Sequence, residues 1–168
     1  MSVQNIIRQF PTDGIVGDFA LDGPIRSQPI LLNTTDPTLN IIGRAVTHTA
    51  GTDGVGVTGG TGVFAGILTN SKQYASLGGS TGPLSPTLTL PNALPVQATT
   101  LASGIYVTLT TTANIGDQVY FVTATGALGA VAPGAAAPGG GQLIPGASVI
   151  RRNITTANTT GIIELLNS

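Results

Sequence analysis

The sequence has no cysteine and no tryptophan, a single histidine (His48) and few charged residues. Without cysteine there is no disulfide framework, no thiolate metal site and no cysteine nucleophile. Asp, Glu, Lys and Arg make up 8% of the 168 residues, against about 25% in an ordinary soluble domain. Because a weakly charged surface tends to associate with other surfaces, the composition disfavours a free monomeric enzyme.

Long hydrophobic runs and basic clusters are also missing. No apolar stretch approaches the roughly 18 residues that a membrane-spanning helix needs, and residues 1–8 lack the apolar core and cleavage site of a signal peptide. We therefore expect a soluble protein that is made in the cytoplasm and has no membrane partner. The six basic residues are scattered and the formal net charge is −1. No basic stripe can neutralise phosphates, which predicts no nucleic-acid partner.

What the sequence does contain is 24 glycines, 11 prolines and 25 threonines in a length that suits one domain. Short runs rich in Val, Ile, Thr and aromatic residues alternate with Gly, Pro and Asn turns, which is typical of a β-sandwich or barrel. The predicted fold class is all-β, a single antiparallel sandwich or barrel domain with Gly/Pro-rich loops. The predicted strands are 15–20, 41–49, 63–68, 95–100, 104–110, 117–123, 147–152 and 161–166.

The clearest of these strands is Gly104–Thr110, where Ile105, Val107 and Leu109 point to one face. It is followed, after a turn, by Asp117–Thr123, and the two are predicted to form an antiparallel pair. The one helical candidate is a single turn at residues 70–77.

Three segments lack a strand pattern. Residues 1–30 contain Pro11, Pro24 and Pro29, which predicts an extended N-terminal arm ahead of a β domain over residues 31–168. Residues 50–62 are so rich in glycine that a mobile surface loop is expected. Residues 126–146 combine Gly, Ala and Pro without periodicity and have the composition of a linker.

The sequence contains few of the residue combinations that catalysis requires. A triad built on His48 would need a nucleophile and an orienting acid, and Asp53 is the nearest acid in the sequence. Residues 78–82 match Gly-x-Ser-x-Gly, but two prolines follow where a nucleophile elbow would open a helix. Glycosidases need two facing carboxylates, whereas the only glutamate, Glu164, lies in an apolar strand. We predict no enzymatic activity and no cofactor.

Metal and phosphate sites are equally unsupported. The aspartates at 13, 18, 22 and 36 do not have the spacing of a calcium loop, so we expect them to cap turns or to pair with arginines. The glycines of residues 51–62 are not followed by the lysine that a phosphate-binding loop requires. Arg151 and Arg152 occupy adjacent strand positions and should point to opposite faces, one paired with a carboxylate and one exposed.

Three stretches, in this order, resemble the structural cement proteins of tailed bacteriophages. The first is residues 14–26, which read Gly-Ile-Val-Gly-Asp-Phe-Ala-Leu-Asp-Gly-Pro-Ile-Arg. The second is residues 42–45, Ile-Gly-Arg-Ala, followed after a glycine-rich loop by residues 62–75. The third is the Gly-Asp-x-Val-Tyr hairpin of residues 115–120, with Gly126 behind it. The resemblance spans about residues 14–126.

This resemblance implies a capsid decoration protein that binds the outer surface of the expanded icosahedral capsid. Such a protein clamps neighbouring subunits of the major capsid protein, and a homo-oligomer, with a trimer favoured, is expected. A low-charge surface suits extensive protein contacts, and an extended arm can add a strand to a neighbouring sheet. The residues expected at capsid or subunit contacts are Asp18, Asp22 and Arg26, which would anchor the arm, together with Arg44, Lys72 and Tyr74.

Two other functions remain open. A tail, fibre or other virion-surface β module would have the same Thr- and Gly-rich composition, so the sequence does not separate it from a cement protein. A small hydrolase or lectin-like sugar binder would need a pocket with convergent polar groups and aromatic rings. The chain has only seven aromatic residues, and four of them (Phe19, Phe64, Tyr106 and Phe121) fall in four different predicted strands and do not cluster, which disfavours this last class.

Overall fold

The computed structural model describes residues 14–69 and 89–166 of the chain. The described residues form nine strands and one 3-10 helix at Pro37–Leu39, and they contain no α-helix, so the all-β prediction is confirmed. The strands are β1 Ile25–Leu32, β2 Ala45–His48, β3 Val55–Thr58, β4 Phe64–Leu68, β5 Pro95–Leu109, β6 Gln118–Val122, β7 Leu128–Val131, β8 Gly141–Arg151 and β9 Thr159–Leu165.

The strands close into two rings that share β5. Their order is β1-β3-β2-β4-β5-β7-β6-β8-β9, and β5 pairs in addition with both β1 and β9. We call β1 to β5 the N-terminal ring and β5 to β9 the C-terminal ring. The 15-residue β5 is long enough to serve both. Most pairs are antiparallel, but β1–β3 and β5–β7 are parallel, so the sheet is mixed.

The buried side chains form two clusters, and side chains of β5 contribute to both. The cluster of the C-terminal ring also includes Ala45 of β2 and Ile67 of β4. Val96 and Ala98 point into the N-terminal ring, while Ile105, Val107 and Leu109 point into the C-terminal ring and are fully buried. The prediction that these three side chains of residues 104–110 share one face is therefore confirmed. The fully buried Phe121 reaches Phe64, with ring centroids 6.2 Å apart, where the second cluster meets β4.

The two rings are also joined by a turn-to-strand contact away from β5. Ala45 N–H donates to Gly126 O at 2.9 Å, and Gly59 N–H donates to Ala45 O at 2.9 Å. Gly60 N–H completes the contact by donating to Thr123 O. A Cβ on Gly126, whose φ is +70°, would lie 2.6 Å from Ala45 O. Only glycine satisfies both the backbone angle and this close approach.

The predicted pairing of residues 104–110 with residues 117–123 is wrong. β6 pairs with β7 on one side and with β8 on the other, and β7 lies between β5 and β6 in the strand order. The turn after β5 is held to the β8–β9 loop by two hydrogen bonds between Ala113 and Ile154. The chain therefore crosses the end of the ring, beside the β8–β9 loop, before β6 begins.

Three strands occur in segments that were expected to be irregular. β1 lies in the predicted arm, β3 lies in residues 50–62, and residues 126–146 contain β7 and the start of β8. In β3 and β7 the glycines leave room for the side chains of neighbouring strands. A Cβ on Gly56 would lie 2.7 Å from Ile30, and a Cβ on Gly129 would lie 2.5 Å from the ring of Tyr120.

The predicted boundary at residue 30 falls inside β1, which pairs with β5 along seven register positions from Ile25 to Leu31. The predicted strand at residues 15–20 is a turn with one isolated bridge, Phe19 to Ile105. Residues 95–100 and 104–110 were predicted as two strands but belong to one, β5. The helical candidate at residues 70–77 lies outside the described residues.

Candidate functional site

The segment before β1 lies along β5 and is fixed to it by backbone hydrogen bonds. Gly17 N–H donates to Tyr106 O at 2.8 Å, and Tyr106 N–H donates to Asp18 O at 3.0 Å. Ala20 N–H donates to Gly104 O at 2.9 Å. Because β1 then pairs with the preceding part of β5, Asp18 and Arg26 lie along the same side of that strand.

Small residues allow this segment to approach β5 closely. Gly14 lies directly against the ring of Tyr106, where a Cβ would overlap the ring. The side chain of Leu21 covers Gly104 and shares that position with Ile162 of β9. The stretch from Gly14 to Arg26 therefore forms an outer layer along β5 that is continuous with β1, and it is not detached from the domain.

This layer exposes apolar and charged side chains together. Ile15 is 66% exposed, Phe19 39% and Ile25 47%; Asp22 and Arg26 are exposed and Asp18 is half-buried. We call these six residues the N-terminal surface. Exposed apolar side chains on a segment that also carries charged residues are typical of a protein–protein contact. Three of the six predicted site residues, Asp18, Asp22 and Arg26, belong to it.

Arg44 has a different environment. Its Nη1 donates to Leu39 O at 3.3 Å and to Thr125 O at 3.1 Å, so it connects the 3-10 helix with the β6–β7 turn. Partial burial lowers the pKa of its guanidinium, because desolvation disfavours the charged form. Within the described residues, these contacts give Arg44 a role in joining the two rings.

The remaining predicted site residues, Lys72 and Tyr74, lie outside the described residues. His48 is half-buried, and its Nε2 lies 3.3 Å from the amide nitrogen of Gln28, which also donates to Ala65 O at 2.8 Å. Asp53 lies in the exposed β2–β3 turn. In residues 14–69 and 89–166, no group of three His, Asp or Glu side chains could hold a metal ion. No helix among these residues is long and apolar enough to cross a membrane.

A second exposed region was not predicted as a site. Ile115, at the β5–β6 turn, is 59% exposed, and Arg151 and Arg152 are both exposed at the end of β8. Arg152 lies just beyond β8 in the left-handed region, with φ +57°, so the alternation of strand side chains does not extend to it. The arginine doublet beside a turn is the only sequence signal that could have indicated this region.

Comparison with known proteins agrees with this architecture. The family model described as "Structural cement protein (E217 gp24/Pam3 gp6)" matches residues 3–166. A solved chain from "The capsid of Myoviridae Phage XM1" superposes with a TM-score of 0.60 at 15% identity, covering 98% of each chain. At that identity the likeness shows a shared fold. No curated protein matches the sequence.

The family match includes the N-terminal layer, both rings and the closing strand β9, so it covers the whole described architecture. The three stretches singled out in the sequence all fall within it, and the resemblance they indicated is confirmed. The chain belongs to the structural cement protein family of bacteriophages.

Proposed function

We propose that this protein is a decoration protein that binds the outer surface of an expanded phage capsid and clamps neighbouring subunits of the major capsid protein. Membership of the cement family gives it a structural role in the capsid, and this is the observation that carries the proposal. In this role the protein has no catalytic activity; it is made in the host cytoplasm and becomes part of the virion surface.

The N-terminal surface is our candidate for the capsid contact. It combines three exposed apolar side chains with Asp18, Asp22 and Arg26 on a segment whose backbone is fixed to β5. A contact surface that is already ordered loses little conformational entropy on binding. Residues 1–13 precede this surface in the sequence, and we propose that the two act on the same neighbouring subunit.

We further propose that the protein binds as a homo-oligomer, with a trimer favoured. Several copies of one modest contact, presented by a single assembly, give an avidity well above that of each contact. In such an assembly Lys72 and Tyr74 would lie near subunit contacts. The oligomeric state is measured by analytical ultracentrifugation of the purified protein, in which a single trimeric species is expected.

Co-sedimentation with empty shells of the source phage tests the capsid role. We expect saturable binding to expanded shells and no binding to unexpanded precursor shells. The double variant Ile15→Asp, Phe19→Asp should reduce occupancy at least about tenfold, because it places charge in the apolar part of the contact. The matched control is Val63→Asp, since Val63 is 75% exposed on the N-terminal ring and should bind like wild type.

Deletion of residues 1–13 removes the first part of the predicted arm (residues 1–30) and retains all six residues of the N-terminal surface. We expect this truncated protein to fold and to lose attachment to shells. Full occupancy by the truncated protein would contradict the role of the arm. If the intact protein binds neither type of shell, the capsid role is wrong and the tail or fibre alternative, with its low copy number per virion, takes its place.

A further inference from the structure

The end of the C-terminal ring that carries the β5–β6 turn and the β8–β9 loop contains a cavity of about 190 Å³. Its lining residues are Arg152, Asn153, Ile154, Thr155, Thr156 and Thr159. These residues supply a guanidinium, an amide and three hydroxyl groups, and none of them is acidic. The chemistry of the lining therefore fits an anionic group better than a cation.

The walls of this cavity are fixed before any ligand binds. Ala113 and Ile154 exchange two backbone hydrogen bonds, at 2.9 and 2.7 Å, and Asn158 N–H donates to Leu109 O at 2.8 Å. The guanidinium of Arg152 donates from Nη2 to Thr160 O at 3.2 Å. This bond uses one of the five N–H donors of the group and holds it at the cavity.

The backbone of Arg152 is an exception to the pattern in the rest of the fold. Among the described residues, twelve glycines and three other residues have positive φ, and Arg152 is one of those three, at +57°. A side chain in this region costs about 1 kcal/mol or more, which glycine avoids. In a chain that uses glycine at most such positions, an arginine kept at this cost indicates a function for its side chain.

An apolar side chain lies next to the cavity. Ile115 is 59% exposed, and its N–H donates at 3.0 Å to Oδ1 of Asn153, a lining residue. The carboxylate of Asp117, in the same turn, accepts from Asn114 N–H at 2.8 Å and holds the turn in place. A fixed isoleucine beside a fixed arginine is suited to a protein segment that carries an acidic and an apolar residue, and it is poorly suited to a phosphate alone.

We propose that this end of the C-terminal ring is a docking site for an acidic segment of a partner protein, with a carboxylate bound by Arg152 and an apolar side chain packed on Ile115. The major capsid protein is the partner, and this identity rests on the proposed function. The site is distinct from the N-terminal surface, so each copy of the protein would hold its partner at two places.

The test compares two arginine variants in the shell-binding measurement. Arg152→Gly removes the side chain at a position where glycine is favoured, so the midpoint of thermal unfolding should stay the same while affinity for expanded shells falls about tenfold or more. Arg151→Gln makes the same change in net charge one residue away, outside the cavity lining, and should have a clearly smaller effect. Equal losses in the two variants would show a general effect of charge and overturn the proposal.

A lowered unfolding midpoint in Arg152→Gly together with wild-type shell affinity would also overturn it, since Arg152 would then serve the fold alone.

A second measurement is independent of shells. NMR titration of the intact protein with acetyl-Glu-Leu-amide should shift the amide signals of residues 113–117 and 151–159, whereas acetyl-Gln-Leu-amide should not. If wild-type protein binds no shells but shows this selectivity, the docking site stands and the proposed function fails. If neither peptide shifts these signals, the proposal of a docking site is wrong.

Discussion

The hydroxyl group of Thr111 makes both hydrogen bonds that a neighbouring strand would make to Ala130. It accepts from Ala130 N–H at 2.8 Å and donates to Ala130 O at 3.3 Å. β7 pairs with β5 at one position only, Leu109 with Leu128, so the next residues of β7 lack a partner strand on that side. The side chain of Thr111 closes the C-terminal ring where its backbone pairing ends.

Replacing Thr111 by valine should therefore destabilise the fold without changing its shape. The valine side chain has nearly the same volume but leaves the N–H and C=O of Ala130 without this partner, which costs about 1–3 kcal/mol. Thr111→Ser keeps the hydroxyl and should lose less than half as much. Urea unfolding followed by circular dichroism measures both, and equal stabilities for the valine and serine variants would contradict this function of the hydroxyl.

Threonine was interpreted from the sequence as a residue of the predicted strands, and the structure shows a second use for it. Five of the six buried polar residues among those described are threonines: Thr34, Thr47, Thr58, Thr69 and Thr99. Several of their hydroxyls bond to backbone groups, as Thr34 does to Thr58 N–H at 2.9 Å. Composition alone cannot distinguish these positions from exposed ones, because the same residue type serves both.

The sixth buried polar residue, Asn40, is the centre of a hydrogen-bonded network. Its amide group donates to Leu90 O at 3.1 Å and to Asn92 Oδ1 at 3.0 Å, and its Oδ1 accepts from the Thr58 hydroxyl at 2.7 Å. The network joins β3 to the segment that leads into β5.

Asn40→Asp should cost about 3 kcal/mol or more, because a buried carboxylate loses the amide donor and faces two oxygens. Asn92→Asp changes the same functional group at a half-buried position and should cost less. Differential scanning calorimetry compares the two variants. A larger loss for Asn92→Asp would show that the network is not centred on Asn40.

The strands that could be predicted are those in which large apolar side chains alternate with outward-facing residues. Residues 104–110 alternate between buried aliphatic and outward residues, and β5 follows that pattern. β3 and β7 could not be predicted, because in both a glycine takes a strand position under a neighbouring side chain. The same composition is typical of loops, so periodicity carries no signal there.

The candidate site could be predicted in part, for a related reason. Asp18, Asp22 and Arg26 share one short segment, and the backbone hydrogen bonds of this segment place all three along β5. Arg44 lies elsewhere because its neighbours come from distant residues, among them Thr125. The cavity at Arg152 depends on a left-handed backbone angle, and no residue type in that stretch indicates such an angle in advance.

Asp36 gives the fold a defined response to acid. Its carboxylate accepts from the hydroxyl of Thr38 at 2.6 Å and from Thr38 N–H at 3.0 Å, and these bonds hold the pKa of Asp36 below its ordinary value of 3.8. Because the pKa is lower in the folded state, the stabilisation is present above pH 3.8 and is lost as pH falls through the folded-state pKa. NMR titration should give a midpoint below 3.8, and Thr38→Val should move it towards that value. An unchanged midpoint in Thr38→Val would show that the hydroxyl is not the main cause.

The contact between the two rings can be measured with a pair of glycine substitutions. Gly126 and Gly134 both have positive φ, +70° and +79°, so alanine at either position costs about 1–2 kcal/mol in backbone strain. Gly134 faces open space, whereas a Cβ on Gly126 would lie 2.6 Å from Ala45 O and 2.9 Å from Gly59 N. Gly126→Ala must therefore also displace the β6–β7 turn from the N-terminal ring, which breaks the hydrogen bond from Ala45 N–H. We expect Gly126→Ala to be at least about 2 kcal/mol less stable than Gly134→Ala in urea unfolding. Hydrogen exchange should locate the extra loss at the amides of Ala45 and Gly60, since these two donate across the junction. Equal losses at the two positions, with unchanged exchange at those two amides, would show that the β6–β7 turn does not help to hold the rings together.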